Sequence, residues 1–321
     1  MPHKLGRWKL YIFSSITTVL LLVLGIPLMI INNPRSSIAK ETTVKETREL
    51  ASTDEHRIPL QLKDGQVIEI PMEEYLVGVL AGEMSPLDPL EALKAMAVAA
   101  RSYAWHRTSN GDPICTTIHC QVWLSPEERQ ERWGQKTSDY TGLIKQAVKD
   151  TQGQFLIYDN EVILAAYSDS CGGHTESAAD EWGSDIPYLR SVTCPEKPVI
   201  KDILFSPDEL DAKLGTTLSA MKPRERIKAV QITDKTSSGR TKTVQIGLTE
   251  VKGSRLRAAL GLPSTDMKIN WNHNEIEIET RGNGHAVGLC QSGDITMAIE
   301  GKSYDEILAH YYPGTQLKRM Y

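Results

Sequence analysis

The 321-residue sequence predicts a mixed α+β fold, in which helices pack on short antiparallel sheets behind an N-terminal membrane anchor. Three observations lead to this prediction. Segments with apolar residues at helical spacing alternate with short segments rich in β-branched residues. Turn signals such as Asp-Gly and Asp-Asn join several of the strands into hairpins. A single long apolar run near the N-terminus carries no charge.

The apolar run covers residues 11–31, which would span about 31 Å as a helix and suits the core of a bilayer. Three basic residues precede it: Lys4, Arg7 and Lys9. The positive-inside rule then keeps residues 1–10 as a cytoplasmic tail and the remainder outside. The alternative is a signal peptide cleaved near residues 37–39, although this run is longer than a signal core usually is.

The rest of the chain is predicted to divide into a polar tether, residues 32–56, and a folded domain, residues 57–321, with a sub-domain at 203–265. The composition is that of an ordinary globular protein, with 40% hydrophobic and 24% charged residues. A net charge of -5 argues against nucleic acid as the main partner.

Three hairpins are predicted from their turns and from alternating apolar residues. They are formed by residues 57–62 with 66–70, by 154–158 with 162–167, and by 229–232 with 243–246. Helices with Ser and Glu at capping-box spacing are predicted to begin at Ser125, Ser206 and Ser303. A short helix that Thr175 caps is predicted to run through Asp180.

Two consecutive helices joined by a Pro-rich elbow place one acid, Glu83, at their junction. The first ends near Glu83 because Ser85 precedes a proline. We expect the second to begin with Asp88 as N-cap and Glu91 completing a capping box. Lys94 and Arg101 are seven residues apart and therefore share one side of that helix. A solvated acid and a solvated basic face are the plainer interpretation of these residues.

Five cysteines in an exported domain permit disulfides and leave at least one thiol unpaired. Zinc is the alternative at Cys115, His119 and Cys120, with Cys171 and His174 as a second pair. Because these spacings match no standard zinc module, we expect no cofactor. The sequence does not assign the pairing of the cysteines.

Two later segments contain the polar residues and glycines that are typical of loops around an active site. Residues 168–195 form a polar loop with a tight turn at Gly172 and Gly173. Residues 281–291 place His285 in a glycine-rich turn before a helix that carries Gln291. That turn is neither a phosphate loop nor a dinucleotide fingerprint.

Three blocks taken together carry a resemblance to a known family. They read EEYLVGVLAGEM…EALKAMAVAARSYA, CGGHTESAADEWG…PYLRSV and GNGHAVGLCQSGDITMAIEGKSYDEILAHYYPGT. In this order, over residues 57–321, the chain resembles the SpoIID/LytB family. The resemblance implies a peptidoglycan lytic transglycosylase with a central substrate cleft, which acts during engulfment in sporulation.

The resemblance also implies site residues. The acid of the family's (A/G)GEM motif falls on Glu83, its supporting residues on Lys94 and Arg101, and its YLRS segment on Tyr188. His285 and Gln291 are retained in the last block as cleft residues. The turn departs from the usual GHGVGMSQ because Cys290 replaces Ser, and Ser292 replaces the aromatic residue that follows.

Partners and location are implied in the same way. The substrate would be glycan strands from which the amidase, stage II sporulation protein P, has removed the stem peptides. A membrane protein, stage II sporulation protein M, would hold the two enzymes together. The anchor at residues 11–31 would leave the catalytic domain outside the mother-cell membrane, facing the forespore.

One carboxylate suffices for such an enzyme, because no water enters the reaction. Glu83 would protonate the glycosidic oxygen and then accept the proton of the C6 hydroxyl as a 1,6-anhydro ring closes. Its pKa should be raised by desolvation and by the helix C-terminus. Lys94 and Arg101 should then hold sugar oxygens or loop carbonyls rather than Glu83. A non-enzymatic activator of an amidase and a wall-binding anchor are the alternatives.

Overall fold

The computed structural model describes residues 56–321. The predicted tail at 1–10, the anchor at 11–31 and all of the tether before His56 lie outside the described residues. In the part that is described, every helix is too short or too polar to cross a membrane. The described part forms a single contact unit.

Helices and short strands alternate along this unit, as the sequence predicts. The helices are α1 (Met72–Glu83), α2 (Leu90–Thr108), α3 (Pro126–Trp133), α4 (Thr137–Asp150), α5 (Ala178–Trp182), α6 (Pro207–Leu214), α7 (Pro223–Ala229), α8 (Gly253–Leu260), α9 (Gln291–Ile299) and α10 (Tyr304–Tyr311). The strands are β1 (Arg57–Gln61), β2 (Val67–Pro71), β3 (Ile114–Cys115), β4 (Gln154–Tyr158), β5 (Glu161–Val162), β6 (Tyr167–Ser168), β7 (Ile200–Phe205), β8 (Val230–Lys235), β9 (Thr241–Ile246), β10 (Thr249–Lys252), β11 (Met267–Asn272), β12 (Glu275–Arg281), β13 (Leu289–Cys290) and β14 (Gln316–Arg319).

Helices α1 and α2 form the centre of the larger core. Almost every residue of α1 after its first turn is buried, which is typical of a helix enclosed on all sides. Helix α2 is rich in alanine, and its small side chains let α1, α4, α9 and α10 pack closely around it. Buried residues from β1, β4 and β13 complete this core.

Two of the predicted hairpins, at 57–70 and 229–246, are confirmed, and the one at 154–167 forms in part, because β5 ends at Val162 and Tyr167 pairs with β13 instead. Strands β1 and β2, β4 and β5, and β8 and β9 each pair antiparallel. The turn between β4 and β5 uses Asp159 and Asn160 at positive φ, a conformation that these two residue types tolerate. Two pairings are parallel, however: β1 with β3, and β6 with β13.

A second hydrophobic core lies between Phe205 and Ile278. Two antiparallel three-stranded sheets build it, with strand orders β10-β9-β8 and β11-β12-β7. Helices α6 and α8 pack together over it. This core therefore continues beyond 203–265 into β11 and β12, because these strands supply the partner that β7 needs.

Two predicted caps are wrong. Helix α2 has Pro89 at its N-cap, and the Asp88 carboxylate accepts the N–H of Ser85 at 2.8 Å instead. Glu91 accepts the N–H of Tyr304 at 2.8 Å, so it joins α2 to α10 rather than closing a capping box. Helix α5 is capped by Ser177 and not by Thr175.

Candidate active site

Glu83 is the last residue of α1 and lies in the wall of an open pocket. The chain turns to an extended conformation at Met84, and Pro86 keeps the next residue, Ser85, out of the helical region as well. The pocket encloses about 390 Å³ beside this helix end. Its lining consists of Gly82, Glu83, Met84, Ser85, Pro86, Leu87, Arg132, Trp133 and Tyr140.

Two donors hold the carboxylate of Glu83. The backbone N–H of Val122 donates to Oε1 at 2.7 Å, and the hydroxyl of Tyr167 donates to the same oxygen at 3.3 Å. Gln291 donates its amide to the backbone carbonyl of Glu83 at 3.2 Å. The side chain is therefore oriented by residues from two distant parts of the sequence, and Gln291 fixes the end of the helix.

Burial raises the pKa of Glu83 above its ordinary value of 4.5. The hydrogen bonds from Val122 and Tyr167 and the nearby amide of Gln291 oppose this shift, while the negative charge of Asp169 adds to it. The direction predicted from the sequence, with desolvation as its cause, is confirmed. A carboxyl group of this kind keeps its proton to a higher pH than an exposed one, as a general acid must.

A chain of hydrogen bonds behind the carboxylate sets the direction of the Tyr167 hydroxyl. The amide of Gln121 donates to this hydroxyl at 3.0 Å, so the single proton of Tyr167 is left to point at Glu83. The carbonyl oxygen of Gln121 in turn accepts the hydroxyl of Tyr75 at 2.8 Å. Gln121 and Tyr75 are both buried, which keeps this arrangement fixed.

Two glycines one turn apart on α1 admit the segment that carries Val122. A Cβ on Gly82 would lie 2.4 Å from the carbonyl oxygen of Val122, and one on Gly78 would lie 2.1 Å from the ring of Trp123. The N–H of Leu124 donates to the carbonyl of Gly78 at 3.1 Å. The glycine in the AGEM sequence thus brings the Val122 N–H within reach of Glu83.

Trp133 and Tyr140 form an aromatic wall of the pocket that was not predicted from the sequence. Their rings meet edge to face, with centroids 5.8 Å apart. Arg132 lies beside them and donates to the carbonyl of Ala81 at 3.1 Å. The signal for this wall was weak, because Trp133 and Tyr140 come from separate helices and only the tertiary packing brings them together.

Arg101 and Lys94 do not join Glu83, which corrects the grouping expected from the sequence. Arg101 is fully buried and binds the carboxylate of Glu73 through two nitrogens, at 2.6 and 3.0 Å. Glu73 precedes Glu83 by ten residues, about 15 Å along a helix. Lys94 pairs with Glu91 at 2.9 Å and with Asp150 at 3.4 Å.

One part of that expectation is met, since neither cation pairs with Glu83. Arg101 also donates to the backbone carbonyls of Gln154 and Val148, at 3.2 and 3.5 Å. Its contacts are therefore internal, and they join α1, α4 and β4.

Tyr188 and His285 also make internal contacts. The hydroxyl of Tyr188 accepts the N–H of Leu164 at 3.1 Å. Nδ1 of His285 lies 3.0 Å from the N–H of Val287, which donates to it. Burial, with the nearby charge of Arg257 second, lowers the pKa of His285 to about 4, so the imidazole is neutral near pH 7. These contacts tie Tyr188 to the segment before β6 and hold the turn before β13.

The cysteines form two groups. Cys115, His119 and Cys120 bring their ligand atoms within 4.8 Å of one another and so form a candidate metal site. Cys120 directly precedes Gln121 in the sequence. Cys171 gathers with Cys194, Glu196 and Cys290, whereas His174 is exposed and outside that group. His174, predicted as the partner of Cys171, is thus not a member of that group.

Comparison with known proteins gives consistent matches. The family model described as "SpoIID: Stage II sporulation protein" matches residues 62–158. "Stage II sporulation protein D" of Bacillus subtilis (strain 168) is 34% identical over 95% of this chain and 94% of its own length. The protein of the same name from Bacillus amyloliquefaciens is 35% identical over 86% of this chain and 83% of its own. "Amidase enhancer" of Bacillus subtilis (strain 168) is 30% identical over 75% of this chain and 40% of its own length.

Proposed function

This chain belongs to the SpoIID family of sporulation proteins, and from that membership we propose that it is a peptidoglycan lytic transglycosylase. It would cleave MurNAc–GlcNAc bonds of glycan strands that have lost their stem peptides, with formation of 1,6-anhydro-MurNAc ends, during engulfment. One observation carries the proposal: a single carboxyl group, Glu83, has a raised pKa in the wall of an open pocket.

The first step of the proposed reaction is proton donation. Protonated Glu83 gives its proton to the oxygen that bridges the two sugars, and the glycosidic bond breaks with its electron pair on that oxygen. Oε1 accepts hydrogen bonds from Val122 and Tyr167 in this structure. Oε2 is therefore the oxygen that we expect to carry the proton.

Ring closure returns the enzyme to its starting state. The carboxylate of Glu83 takes the proton of the C6 hydroxyl while that oxygen bonds to C1 of the same MurNAc. No water is consumed, and Glu83 ends the cycle protonated. The two hydrogen bonds to Oε1 stabilise the carboxylate between the steps, because they are stronger to the charged form than to the neutral one.

The walls of the pocket suit a sugar chain. Trp133 and Tyr140 offer aromatic surface of the kind that packs against the apolar face of a sugar ring. Leu87 adds exposed apolar surface at the edge, with 68% of its side chain accessible. In this proposal these residues bind the strand, whereas Lys94 and Arg101 keep the helices in place.

The family membership also supports the cellular setting that we propose. Residues 11–31 would anchor the protein in the mother-cell membrane, with the domain at 57–321 facing the forespore. The amidase, stage II sporulation protein P, would supply the denuded strands, and stage II sporulation protein M would hold the two enzymes together. No nucleic acid takes part.

Asp169 makes hydrolysis the second candidate function. Its charge raises the pKa of Glu83, so a second carboxylate, which the sequence did not single out, lies near the first. Its Oδ2 accepts the amide of Asn283 at 2.8 Å. Paired carboxylates are the usual machinery of glycosidases that use water. The products distinguish the two reactions, since hydrolysis leaves a reducing MurNAc end.

A third candidate, activation of an amidase without catalysis, is favoured by the name of the relative "Amidase enhancer". One experiment separates all three. The full-length chain is incubated with denuded glycan strands, and the products are analysed by mass spectrometry. We expect fragments ending in 1,6-anhydro-MurNAc, one water lighter than hydrolytic fragments.

Variants at α1 make this assay specific. Glu83→Gln should abolish the fragments while binding to insoluble glycan persists. Glu74→Gln, an exposed acid on the same helix, serves as the matched control and should retain activity. Fragments with reducing ends would favour hydrolysis, and an unchanged product profile in Glu83→Gln would rule out this carboxyl as the acid.

A further inference from the structure

A second group of reactive side chains lies apart from the pocket that Glu83 lines. Cys171, Cys194, Glu196 and Cys290 each bring one ligand atom to a common point, and these atoms lie within 4.8 Å of one another. All four residues are buried. They come from the loop after β6, from the segment before β7 and from β13, so the group joins three parts of the chain.

The carboxylate of Glu196 is bound on one side only. Its Oε1 accepts the N–H groups of Gly172 and Gly173. Its Oε2 has no hydrogen-bond partner among the described residues. Water cannot easily reach this oxygen, because only 7% of the residue is exposed. A buried carboxylate oxygen without a partner is costly, and such an atom calls for a ligand.

Two of the three sulfur atoms have polar neighbours. The N–H of Cys171 donates to the sulfur of Cys290 at 3.3 Å. The hydroxyl of Tyr311 lies 3.2 Å from the sulfur of Cys194. The residue at 293 has to be glycine, since a Cβ there would lie 2.2 Å from that sulfur.

We propose that these four side chains bind one Zn²⁺ ion in a closed, structural site. Three thiolates and one carboxylate give the four-coordinate shell that structural zinc prefers. With Zn–S bonds of about 2.3 Å, tetrahedral ligand atoms stand roughly 3.8 Å apart. The four ligand atoms here all lie within 4.8 Å of one another, which leaves them only a small distance to move. The bare oxygen of Glu196 would supply the fourth bond.

A disulfide explains less of this arrangement. It would join two of the three sulfur atoms, leave the third thiol unused, and leave the Oε2 atom of Glu196 buried without a hydrogen-bond partner. A metal ion uses all four groups at once. Cys290 also stands where the resembled family's turn has Ser, so the third thiolate arises from the departure noted in this sequence.

The location gives the ion a structural role near the candidate active site. Cys290 belongs to β13, which pairs with β6 and so lies beside Tyr167. Gln291 follows directly and contacts Glu83. An ion at this point would fix both the strand that carries Tyr167 and the residue that holds the end of α1.

The test measures zinc in the full-length protein. Cys115→Ser/Cys120→Ser forms the background, because it removes the other candidate metal group. The protein is purified from zinc-supplemented cells in a reducing buffer without chelator, and its metal content is measured by elemental analysis and native mass spectrometry. We expect about one zinc per chain in this background. Replacement by Co²⁺ should give thiolate-to-metal charge-transfer bands.

Substitutions then locate the ion. Cys290→Ser and Glu196→Gln should each lower zinc affinity by more than about tenfold, whereas the exposed Glu161→Gln control should keep it. The Cys115→Ser/Cys120→Ser protein keeps all four proposed ligands, so its zinc content tests the proposal even if a variant at Cys290 or Glu196 misfolds. Absence of zinc from that protein, or a disulfide between two of the three cysteines in peptide mapping, would overturn the proposal.

Discussion

The backbone N–H of Val122 donates a 2.7 Å hydrogen bond to Oε1 of Glu83, across 39 positions of sequence. The contact exists because Gly82 leaves no side chain between α1 and the segment that carries Val122. The acid and its donor are therefore positioned by a residue that takes no part in the chemistry.

Gly82→Ala is expected to reduce activity strongly. The new Cβ would lie 2.4 Å from the carbonyl oxygen of Val122 and would push the segment away from Glu83. Gly142→Ala is the control, since a Cβ at that exposed helical position meets nothing within 4 Å. It should be neutral or stabilise the fold by up to about 1 kcal/mol. The turnover rate and the Tm of both variants are measured, and equal rates would contradict the role given to Gly82.

The pH dependence of turnover should move in opposite directions in two variants. Activity requires protonated Glu83 and therefore falls as the pH rises through its raised pKa. Tyr167→Phe removes a hydrogen bond that lowers this pKa, so the fall should occur at higher pH. Asp169→Asn removes a negative charge that raises it, so the fall should occur at lower pH. Shifts in the same direction would exclude Glu83 as the titrating group.

Glu83→Gln should raise the stability of the folded protein at neutral pH. Folding raises the pKa of Glu83, so the protonated side chain favours the folded state. The contribution of Glu83 to the free energy of unfolding is therefore fully present below pH 4.5 and is lost as the pH rises through the raised pKa. Glutamine does not titrate, so the difference in Tm should be clear at neutral pH and should vanish below pH 4.5. Calorimetry at the two pH values measures it, and a lower Tm at neutral pH would contradict the raised pKa.

Trp133→Ala should weaken the binding of glycan strands. The loss of aromatic surface from the pocket wall is worth roughly 1 kcal/mol, which corresponds to about a fivefold rise in KM. Trp133→Phe keeps a ring in the same place and should show a smaller effect. The two values of KM are compared on denuded strands of defined length, and an unchanged KM in Trp133→Ala would place the substrate elsewhere.

Local features of the fold were predictable from the sequence because they depend on neighbouring residues. The end of α1 at Glu83 follows from the proline three positions later, and the hairpin turn at Asp159 and Asn160 follows from the residue types. The raised pKa of Glu83 was predictable as well, since an acid between apolar residues at the end of a buried helix loses water.

The rest of the site depends on packing between distant segments. Helical spacing placed Lys94 and Arg101 on one side of α2, but spacing does not reveal which neighbour covers that side. In the structure it is the first turn of α1 and the end of α4, through Glu73 and Asp150. Val122 was missed because a backbone donor leaves no mark on residue type.

The buried pair of Arg101 and Glu73 gives the last prediction. The ion pair is bidentate, and the side chain of Arg101 is fully buried. Arg101→Met would leave Glu73 charged and without its cation, at a cost of about 3–5 kcal/mol in the free energy of unfolding. Because Arg101 contacts only the protein interior, the fraction that stays folded should keep the KM of the parent protein for glycan.

A double-mutant cycle separates this structural role from substrate binding. Adding Glu73→Leu to Arg101→Met removes the stranded charge and should recover part of the lost stability.

Lys94→Met is the companion variant, since Lys94 binds Glu91 and Asp150 and only 16% of its side chain is exposed. It too should leave KM unchanged. A rise in KM with an unaltered Tm, in either single variant, would return that cation to the substrate site.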